Sequence, residues 1–301
     1  MPYTPSYIEL HAKEELRQRI DALKGILSQC RLCPRCCEVN RTQGELGYCR
    51  AGNQLVVSSV FPHFGEEAPL VGYRGSGTIF LTHCNLRCVF CQNYDISHLG
   101  RGEKTSPSQM ASYMVRLQEL GCHNVNFVTP THYAPQIVAS LPEAIDLGLK
   151  LPLVYNCSGY ESLEVIKLLD GIIDIYMPDA KYAGEEPAKR FSNAPDYPQV
   201  LKEVLKEMYR QVGDLHTDEN GIAQKGLLIR HLVMPEDLAG TEDLMRFIAE
   251  EISRDSYVNV MQQYRPEHKS RDYPELSRRI TYGEYLDAVK TARRLGLHRG
   301  F

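Results

Sequence analysis

Short apolar runs alternate with helical runs along the chain from about residue 76 onward. The apolar runs favour Ile, Val, Leu, Phe and Tyr and are bounded by turn or polar residues, which predicts β-strands. These predicted strands are Thr78–Thr82, Val125–Thr129, Leu151–Tyr155, Ile172–Met177, Leu227–Val233 and Tyr257–Met261. Their hydrophobicity is nearly continuous, as in strands that are covered on both faces.

Helical runs separate the predicted strands, and several of them have recognisable ends. Ser106 is placed to cap a helix that carries Pro107 in its first turn. Thr241 is predicted to cap a later helix, and Thr281 with Glu284 fits a capping box that opens the last one. Near the N-terminus, a further helix is predicted from apolar residues at helical spacing, which are Leu16, Ile20, Leu23 and Leu27.

Strands that alternate with helices indicate parallel pairing through helical crossovers. Six such units are too few for an eight-stranded barrel, so the pattern predicts an α/β fold with a partial (β/α)6 TIM-type barrel over residues 76–301. Residues 38–75 are rich in Gly and turn residues and are interpreted as loops. Residues 1–75 are therefore taken as a separate N-terminal helix and Cys-rich metal-binding extension.

The composition is that of an ordinary globular protein, with 43% hydrophobic and 24% charged residues among 301. The net charge of −4 argues against a broad nucleic-acid-binding surface, which usually carries a basic excess. No apolar run approaches the roughly 18 residues that span a bilayer, and the first residues do not resemble a signal peptide. We therefore expect a cytoplasmic protein without a membrane partner. Most of its ten cysteines lie in two clusters and are expected to serve as metal ligands rather than disulfides, whereas Cys122 and Cys157 stand alone.

The strongest chemical signal is the segment Cys84-Asn-Leu-Arg-Cys88-Val-Phe-Cys91, directly after the first predicted barrel strand. Three thiolates at this spacing reach three irons of one [4Fe–4S] cube from a single loop, and soft thiolates suit such clusters. The fourth iron then lacks a protein ligand and is open to a bidentate cofactor or substrate. The alternative is that the three cysteines join a fourth ligand in a zinc site or an electron-transfer cluster, but the spacing is not the usual paired C-x2-C.

C-x3-C-x2-C with Phe90 before its last cysteine resembles the signature of the radical S-adenosylmethionine (SAM) superfamily. The resemblance implies that Cys84, Cys88 and Cys91 are the catalytic cluster ligands and that the open iron binds SAM. One electron from the reduced cluster then splits the S–C5′ bond of SAM. The resulting 5′-deoxyadenosyl radical abstracts a hydrogen atom from the substrate, while the protein binds and shields the cofactors.

Further sequence segments resemble those of the pyruvate formate-lyase activating enzymes, a branch that places a glycyl radical on a partner protein. They are Gly77-Thr-Ile-Phe, Cys91-Gln-Asn, Asn126-Phe-Val-Thr-Pro-Thr-His132, Tyr155-Asn156, Pro178-Asp179-Ala-Lys181-Tyr182, Ile229-Arg230-His231 and Gln263-Tyr264. The branch implies a protein or peptide substrate and a reductant such as flavodoxin or ferredoxin. Two other hypotheses are a radical SAM enzyme that modifies a small molecule, and a non-catalytic iron–sulfur or zinc protein that serves as scaffold or electron carrier.

The resemblance also assigns cofactor-binding residues at the strand ends. Many superfamily members have Gly-Gly-Glu after the second strand to meet the SAM amino group, and here Thr129 and Thr131 occupy that region. Asp179 and Lys181 are expected to line the cavity, with a solvated ion pair as the alternative. Arg230 interrupts an apolar strand and is predicted to meet the SAM carboxylate, because burying it unpaired is costly.

Two further polar residues, Asn156 and Ser158, follow the third predicted strand. They are expected either to hydrogen-bond SAM or to form a polar turn. His132 lies beside the expected cofactor site and suits an acid, a base or a group that orients a hydroxyl, but it is not assigned as catalytic.

The second cysteine group is Cys30-x2-Cys33-x3-Cys37-x11-Cys49, with Cys36 as a substitute for Cys37. Four thiolates suit a closed tetrahedral zinc site and a second [4Fe–4S] cluster equally well. Four arginines near these cysteines would offset the thiolate charge; they are Arg31, Arg35, Arg41 and Arg50. We expect an auxiliary metal site with a structural role. This chain has only one such extra group. It differs in this from activating enzymes with extra clusters, which carry two ferredoxin-like cysteine sets.

Overall fold

The computed structural model describes residues 3–301. The strands in this part of the chain are β1 (Leu55–His63), β2 (Ser76–Leu81), β3 (Glu103–Thr105), β4 (Val125–Val128), β5 (Leu153–Cys157), β6 (Ile175–Pro178), β7 (His216–Thr217), β8 (Ala223–Leu232) and β9 (Tyr257–Met261). Each of the six predicted strands overlaps one of these, namely β2, β4, β5, β6, β8 and β9. Pattern alone was therefore sufficient to find the barrel strands.

Helices fill most of the connections between the strands. They are α1 (Ser6–Ala12), α2 (Glu15–Gly25), α3 (Ala68–Val71), α4 (Tyr94–Ser97), α5 (Pro107–Glu119), α6 (Ala134–Asp146), α7 (Leu163–Leu168), α8 (Glu185–Ser192), α9 (Tyr197–Val212), α10 (Thr241–Phe247) and α11 (Tyr282–Arg294). None of the helices in residues 3–301 is both long enough and apolar enough to cross a bilayer.

Six strands pair in parallel and in chain order, from β2 through β4, β5, β6 and β8 to β9. The result is a mixed α/β fold with a largely parallel sheet, consistent with a partial (β/α)6 barrel. Every residue of β5 and β6 is buried, as expected for strands covered on both faces. The carboxyl ends of these strands meet at one edge, so their following loops converge there.

The interpretation of residues 38–75 as loops is wrong for β1. This strand lies antiparallel to β2 with a register shift between Val57 and Ser59, and β3 pairs on its other side. Two serines and Pro62 interrupt its apolar pattern, which hid the strand from a search for continuous runs. The division of the chain at residue 75 stays a prediction, although β1 extends the same sheet as the barrel strands.

Two predicted helix starts are confirmed and one is wrong. The Ser106 hydroxyl accepts from Gln109 N–H at the start of α5, and Thr281 with Glu284 forms the capping box of α11. Thr241 is not a cap: Gly240 occupies the N-cap of α10 in a left-handed conformation. The Thr241 hydroxyl instead lies 3.0 Å from Nε2 of the buried His231, because the neighbouring strand offers it a buried partner.

The predicted N-terminal helix is α2, which buries Leu16, Ile20 and Leu23. It packs on α6, a helix of the barrel's outer layer, and so attaches the N-terminal segment to the core. Tyr7 in α1 is fully buried, and its hydroxyl donates to the carbonyl oxygen of Leu151 at 2.8 Å. These contacts fix the first two helices to the outside of the barrel.

Candidate cofactor site

A cavity of about 240 Å³ lies at the carboxyl ends of the parallel strands. Residues at or just after the ends of β2, β4, β5, β6 and β9 contribute polar side chains to it, and β8 contributes Arg230. Apolar residues of β2, β4, β8 and β9 also line it. The lining residues that bear on the chemistry are Cys84, Cys88, Cys91, Thr129, Asn156, Cys157, Ser158, Asp179, Lys181 and Arg230. All three cysteines of the central motif and six of the seven predicted cofactor-binding residues therefore share one cavity.

The loop after β2 turns sharply to present its three cysteines together. His83 and Arg87 both adopt left-handed backbone conformations, with φ of 67° and 53°. Such conformations are uncommon outside glycine and let the chain wrap tightly around a central point. The strain at these two residues thus accompanies the convergence of Cys84, Cys88 and Cys91 on the cavity.

Each sulfur of the three cysteines has a polar neighbour. Leu86 N–H donates to Cys84 Sγ at 3.3 Å, and the Ser192 hydroxyl donates to Cys88 Sγ at 3.0 Å. The third sulfur, of Cys91, lies 3.1 Å from Ser97 Oγ. Hydrogen bonds to sulfur are among the features that tune protein-bound iron–sulfur clusters. Three soft, hydrogen-bonded sulfurs around one cavity therefore fit a cluster with one open iron.

Burial makes Cys84 and Cys88 poor free thiolates. It raises the pKa of Cys84 to about 12 and that of Cys88 to about 11, although the nearby Lys181 ammonium partly opposes the rise at Cys88. A buried thiol becomes a thiolate when a cation such as iron compensates the charge. The environment thus suits metal ligation better than nucleophilic catalysis by a free thiolate.

Arg230 organises the polar side of the cavity from β8. Its guanidinium donates to Asp179 Oδ1 at 2.8 Å and to Asn156 Oδ1 at 2.7 Å, and Lys181 Nζ donates to Asp179 Oδ2 at 2.6 Å. Burial opposes the charge of Asp179, but Arg230 and Lys181 hold its pKa below the usual range. The four side chains form one fixed network at the ends of β5, β6 and β8. The predicted contact of Arg230 with the SAM carboxylate stays a prediction, since this network already engages the guanidinium.

Two hydroxyl residues face the cavity differently. The Ser158 hydroxyl oxygen is buried, lines the cavity and has no hydrogen-bond partner within the described residues, so a bound ligand can satisfy it. Thr129 adopts φ of 62° at the end of β4, which is a strained conformation for a β-branched residue. Observed strain of this kind clusters at binding sites, where the surrounding structure imposes it.

Thr131 does not reach the cavity. It is fully buried, and its hydroxyl donates to Glu161 Oε1 at 2.9 Å. The neighbouring His132 donates from Nε2 to the carbonyl oxygen of Thr82 at 2.7 Å, and burial lowers its pKa to about 3. His132 is therefore a neutral group that ties the loop after β4 to the end of β2, away from proton transfer in the cavity.

Glu66 is a site residue that sequence reasoning missed. It precedes α3 in the segment interpreted as loop, yet its carboxylate approaches Arg230 Nη1 and Asn156 Nδ2, each at 3.5 Å. Burial raises the pKa of Glu66 to about 7 against the opposing effect of Arg230. The chain separates Glu66 from Arg230 by 164 residues, and no local pattern signals that they meet.

The N-terminal cysteine group lies beside the cavity loop rather than inside the cavity. Arg35, between Cys33 and Cys36, donates from Nε to the carbonyl oxygen of Asn85 at 3.0 Å and from Nη2 to that of Ser192 at 2.9 Å. Its guanidinium also lies over the Tyr48 ring, 4.0 Å from the ring centroid. A single arginine thus joins the N-terminal cysteine loop both to the cavity loop and to the helix that carries Ser192.

Comparisons with known proteins agree with this geometry. A family model described as the radical SAM superfamily matches residues 78–248, which include the cavity cysteines and the strand ends as far as Arg230. A protein of the archaeon Methanocaldococcus jannaschii, named uncharacterized protein MJ0674, is 34% identical and aligns over 93% of this chain and 78% of its own length. A second protein of that organism, uncharacterized protein MJ0808, is 23% identical over 90% of this chain and 78% of its own.

Proposed function

This chain belongs to the radical SAM superfamily, and we propose that it abstracts a hydrogen atom from a glycine of a partner protein, as glycyl-radical activating enzymes do. Its cofactors are a [4Fe–4S] cluster and SAM. When bound and reduced, they supply a 5′-deoxyadenosyl radical and methionine from SAM. Radical SAM chemistry follows from the family, whereas the partner protein and the glycine are our proposal.

Cys84, Cys88 and Cys91 would hold three irons and leave the fourth open toward the cavity. Ser158, with its unpartnered hydroxyl, and Thr129 are placed to bind polar groups of SAM. The Asp179–Arg230–Asn156 network fixes the opposite wall, so the site need not reorganise when charge enters it. Apolar residues exclude water from the place where a reactive radical forms; they include Leu81, Leu86, Phe90 and Val128.

The observation that carries the proposal is the size of the cavity. At about 240 Å³ it lies below the roughly 300–1,000 Å³ of pockets that enclose a whole ligand. On this proposal the cluster and SAM occupy the cavity, and the hydrogen donor approaches from its open side. Exposed side-chain amides lie at that rim, where Gln92 Nε2 donates to the carbonyl oxygen of Gln263 at 3.2 Å. Carboxamides both donate and accept hydrogen bonds, as a peptide backbone requires of its partner.

Deuterium transfer tests the substrate class. The reconstituted, reduced enzyme would be mixed with SAM and with an extract of source cells grown on glycine deuterated at Cα, split by ultrafiltration into macromolecules and small molecules. We expect deuterated 5′-deoxyadenosine from the macromolecular fraction and none with the Cys84→Ala/Cys88→Ala/Cys91→Ala variant. Deuterium from the small-molecule fraction alone would establish a small-molecule substrate, and undeuterated product from both fractions would exclude a glycine. Failure to bind SAM at all would support a scaffold or electron carrier.

A further inference from the structure

We propose that Cys30, Cys33, Cys37 and Cys49 hold a second [4Fe–4S] cluster, with all four irons ligated by the chain. Backbone hydrogen bonds fold this segment back on itself, since Cys30 N–H donates to Val39 O and Glu38 N–H donates to Cys30 O, each at 3.0 Å. They bring Cys37 back beside Cys30. Cys33 and Cys49 are buried, while Cys30 and Cys37 are half-buried, as expected of ligands around an enclosed group.

Two of the N-terminal sulfurs accept backbone hydrogen bonds, as the sulfur of Cys84 does in the cavity loop. Tyr48 N–H donates to Cys37 Sγ at 3.3 Å, and Ala51 N–H donates to Cys49 Sγ at 3.5 Å. The corresponding bond in the cavity loop runs from Leu86 N–H to Cys84 Sγ at 3.3 Å. Such bonds favour the thiolate form and are found around protein-bound clusters. Backbone N–H groups therefore donate hydrogen bonds to cysteine sulfurs in both loops.

The structure distinguishes Cys37 from Cys36, which the spacing alone does not. Cys36 is exposed, and its thiol donates to the carbonyl oxygen of Cys33 at 3.7 Å instead of joining the other sulfurs. Gly47 packs directly on Cys37, because a Cβ at this position would lie 2.9 Å from both Cβ and Sγ of Cys37. The chain thus has a glycine where Cys37 needs space, and Cys37 is the fourth ligand.

A buried positive charge beside this group has no acidic partner within residues 3–301. Arg41 is 1% exposed and lies close to Cys49, and its guanidinium donates to the backbone carbonyl oxygens of His132 and Gly52. The remaining guanidinium atom, Nε, is buried without a hydrogen-bond partner in the described residues. An uncompensated buried charge is costly. A metal centre with four thiolates carries net negative charge and supplies the missing counterion, whereas four neutral thiols do not.

The likeness between the two cysteine groups favours a cluster over zinc. A zinc ion with sulfur ligands at about 2.3 Å needs them gathered around one point, roughly 3.8 Å from one another. Within residues 3–301, no three His, Cys, Asp or Glu side chains gather in a way that suits a single ion. Cys84, Cys88 and Cys91 do not meet that criterion either, although the family assigns them a cluster. The N-terminal group is therefore like the cavity group in lacking a single-ion arrangement, and we infer that it binds the same kind of metal centre.

Metal content tests this inference independently of the proposed function. The protein would be purified and reconstituted anaerobically, and iron, sulfide and zinc would be measured together with the electron paramagnetic resonance signal after reduction. We expect about eight irons and eight sulfides per chain in the wild type, and about four of each in Cys84→Ala/Cys88→Ala/Cys91→Ala. Cys37→Ala should also keep about four, whereas Cys36→Ala should keep about eight.

Other outcomes would overturn the inference in distinguishable ways. Zinc without iron in the Cys84→Ala/Cys88→Ala/Cys91→Ala variant would establish a zinc site, and a variant free of both metals would exclude a metal centre. Equal iron loss in Cys36→Ala and Cys37→Ala would contradict the choice of ligand. If Cys37→Ala does not fold, the wild type and the cavity-loop variant still decide the question. About eight irons with undeuterated 5′-deoxyadenosine would contradict the proposed substrate alone.

Discussion

The two cysteine loops of this protein share local structural features but differ in the number of sulfurs they supply and in their surroundings. Both bend through left-handed residues, His83 and Arg87 in the cavity loop and Cys36, Glu38 and Arg50 in the N-terminal loop. Both also offer backbone N–H groups to sulfur. The cavity loop supplies three sulfurs at a cavity, whereas the N-terminal loop supplies four in an enclosed segment. If both loops hold clusters as proposed, an open coordination position depends on the number of ligands and on their surroundings.

The largest expected difference between the loops is obtained by removing one ligand from each. Cys88→Ala should lower 5′-deoxyadenosine formation by more than roughly 1,000-fold, because the cluster performs the chemistry, and should shift the melting temperature by only a few degrees. Cys33→Ala should lower the melting temperature by on the order of 10 °C, because metal-binding energy in a closed site is folding energy. Anaerobic calorimetry and product assays measure both. Equal loss of stability in the two variants would remove the distinction between the loops.

Arg35→Ala probes the connection between the loops. The guanidinium bonds three backbone carbonyl oxygens, of Asn85, Ser192 and Asn193, and stacks on Tyr48. Losing these contacts should cost about 4 kcal/mol in urea unfolding, with Arg35→Lys in between because lysine lacks the planar fork. Arg31→Ala is the control, since Arg31 is an arginine of the same loop that makes one 3.4 Å hydrogen bond, to Gln29. Similar effects of Arg31→Ala and Arg35→Ala would show that the connection is energetically unimportant.

Glu161 is a buried carboxylic acid, and it should make the free energy of unfolding depend on pH. Burial raises its pKa from 4.5 to about 7, although Thr131 and Tyr155 donate to the carboxylate. The folded state therefore holds this proton more tightly, so its stabilising effect is complete below about pH 4.5 and is lost as pH rises through 7. The loss is at most about 3 kcal/mol. Glu161→Gln should flatten this part of the stability–pH curve.

The control for this titration is Glu164→Gln, which changes an exposed carboxylate three residues later. It should leave the stability–pH curve as in the wild type. A curve of Glu161→Gln that still falls between pH 5 and 8 as in the wild type would assign the titration to another buried acid, such as Glu66 or Asp174.

The smallest expected effect concerns backbone strain at the end of β4, beside the cavity, and in the N-terminal loop. Thr129→Gly should stabilise the apoprotein by about 1 kcal/mol through relief of its left-handed conformation, and should weaken SAM binding several-fold through loss of the hydroxyl. Glu38→Gly relieves a similar φ of 56° in the N-terminal loop and should leave SAM affinity unchanged. Unfolding curves and anaerobic titration with SAM measure both quantities. Unchanged SAM affinity in Thr129→Gly would mean that the strain there serves folding rather than cofactor binding.

Several features of this protein were determined by the sequence alone. The six parallel strands follow from apolar runs, the start of α5 follows from Ser106 and Pro107, and the cysteine spacing points to the family. All of these signals are local: a strand, a cap or a three-cysteine loop is encoded within about ten neighbouring residues. A feature that depends on a single segment of the chain can therefore be predicted from the sequence of that segment.

The tertiary structure decided which of the candidate residues meet. It hydrogen-bonded Thr131 to Glu161, away from the cavity. It also brought Glu66 into contact with Arg230, which lies 164 residues further along the chain. It also left Cys36 exposed while Cys37 became half-buried and accepted a hydrogen bond from Tyr48 N–H, although the two residues are adjacent. The physical reason is that burial and partnership of a polar group depend on segments distant in sequence, whose approach is set by packing of the whole sheet.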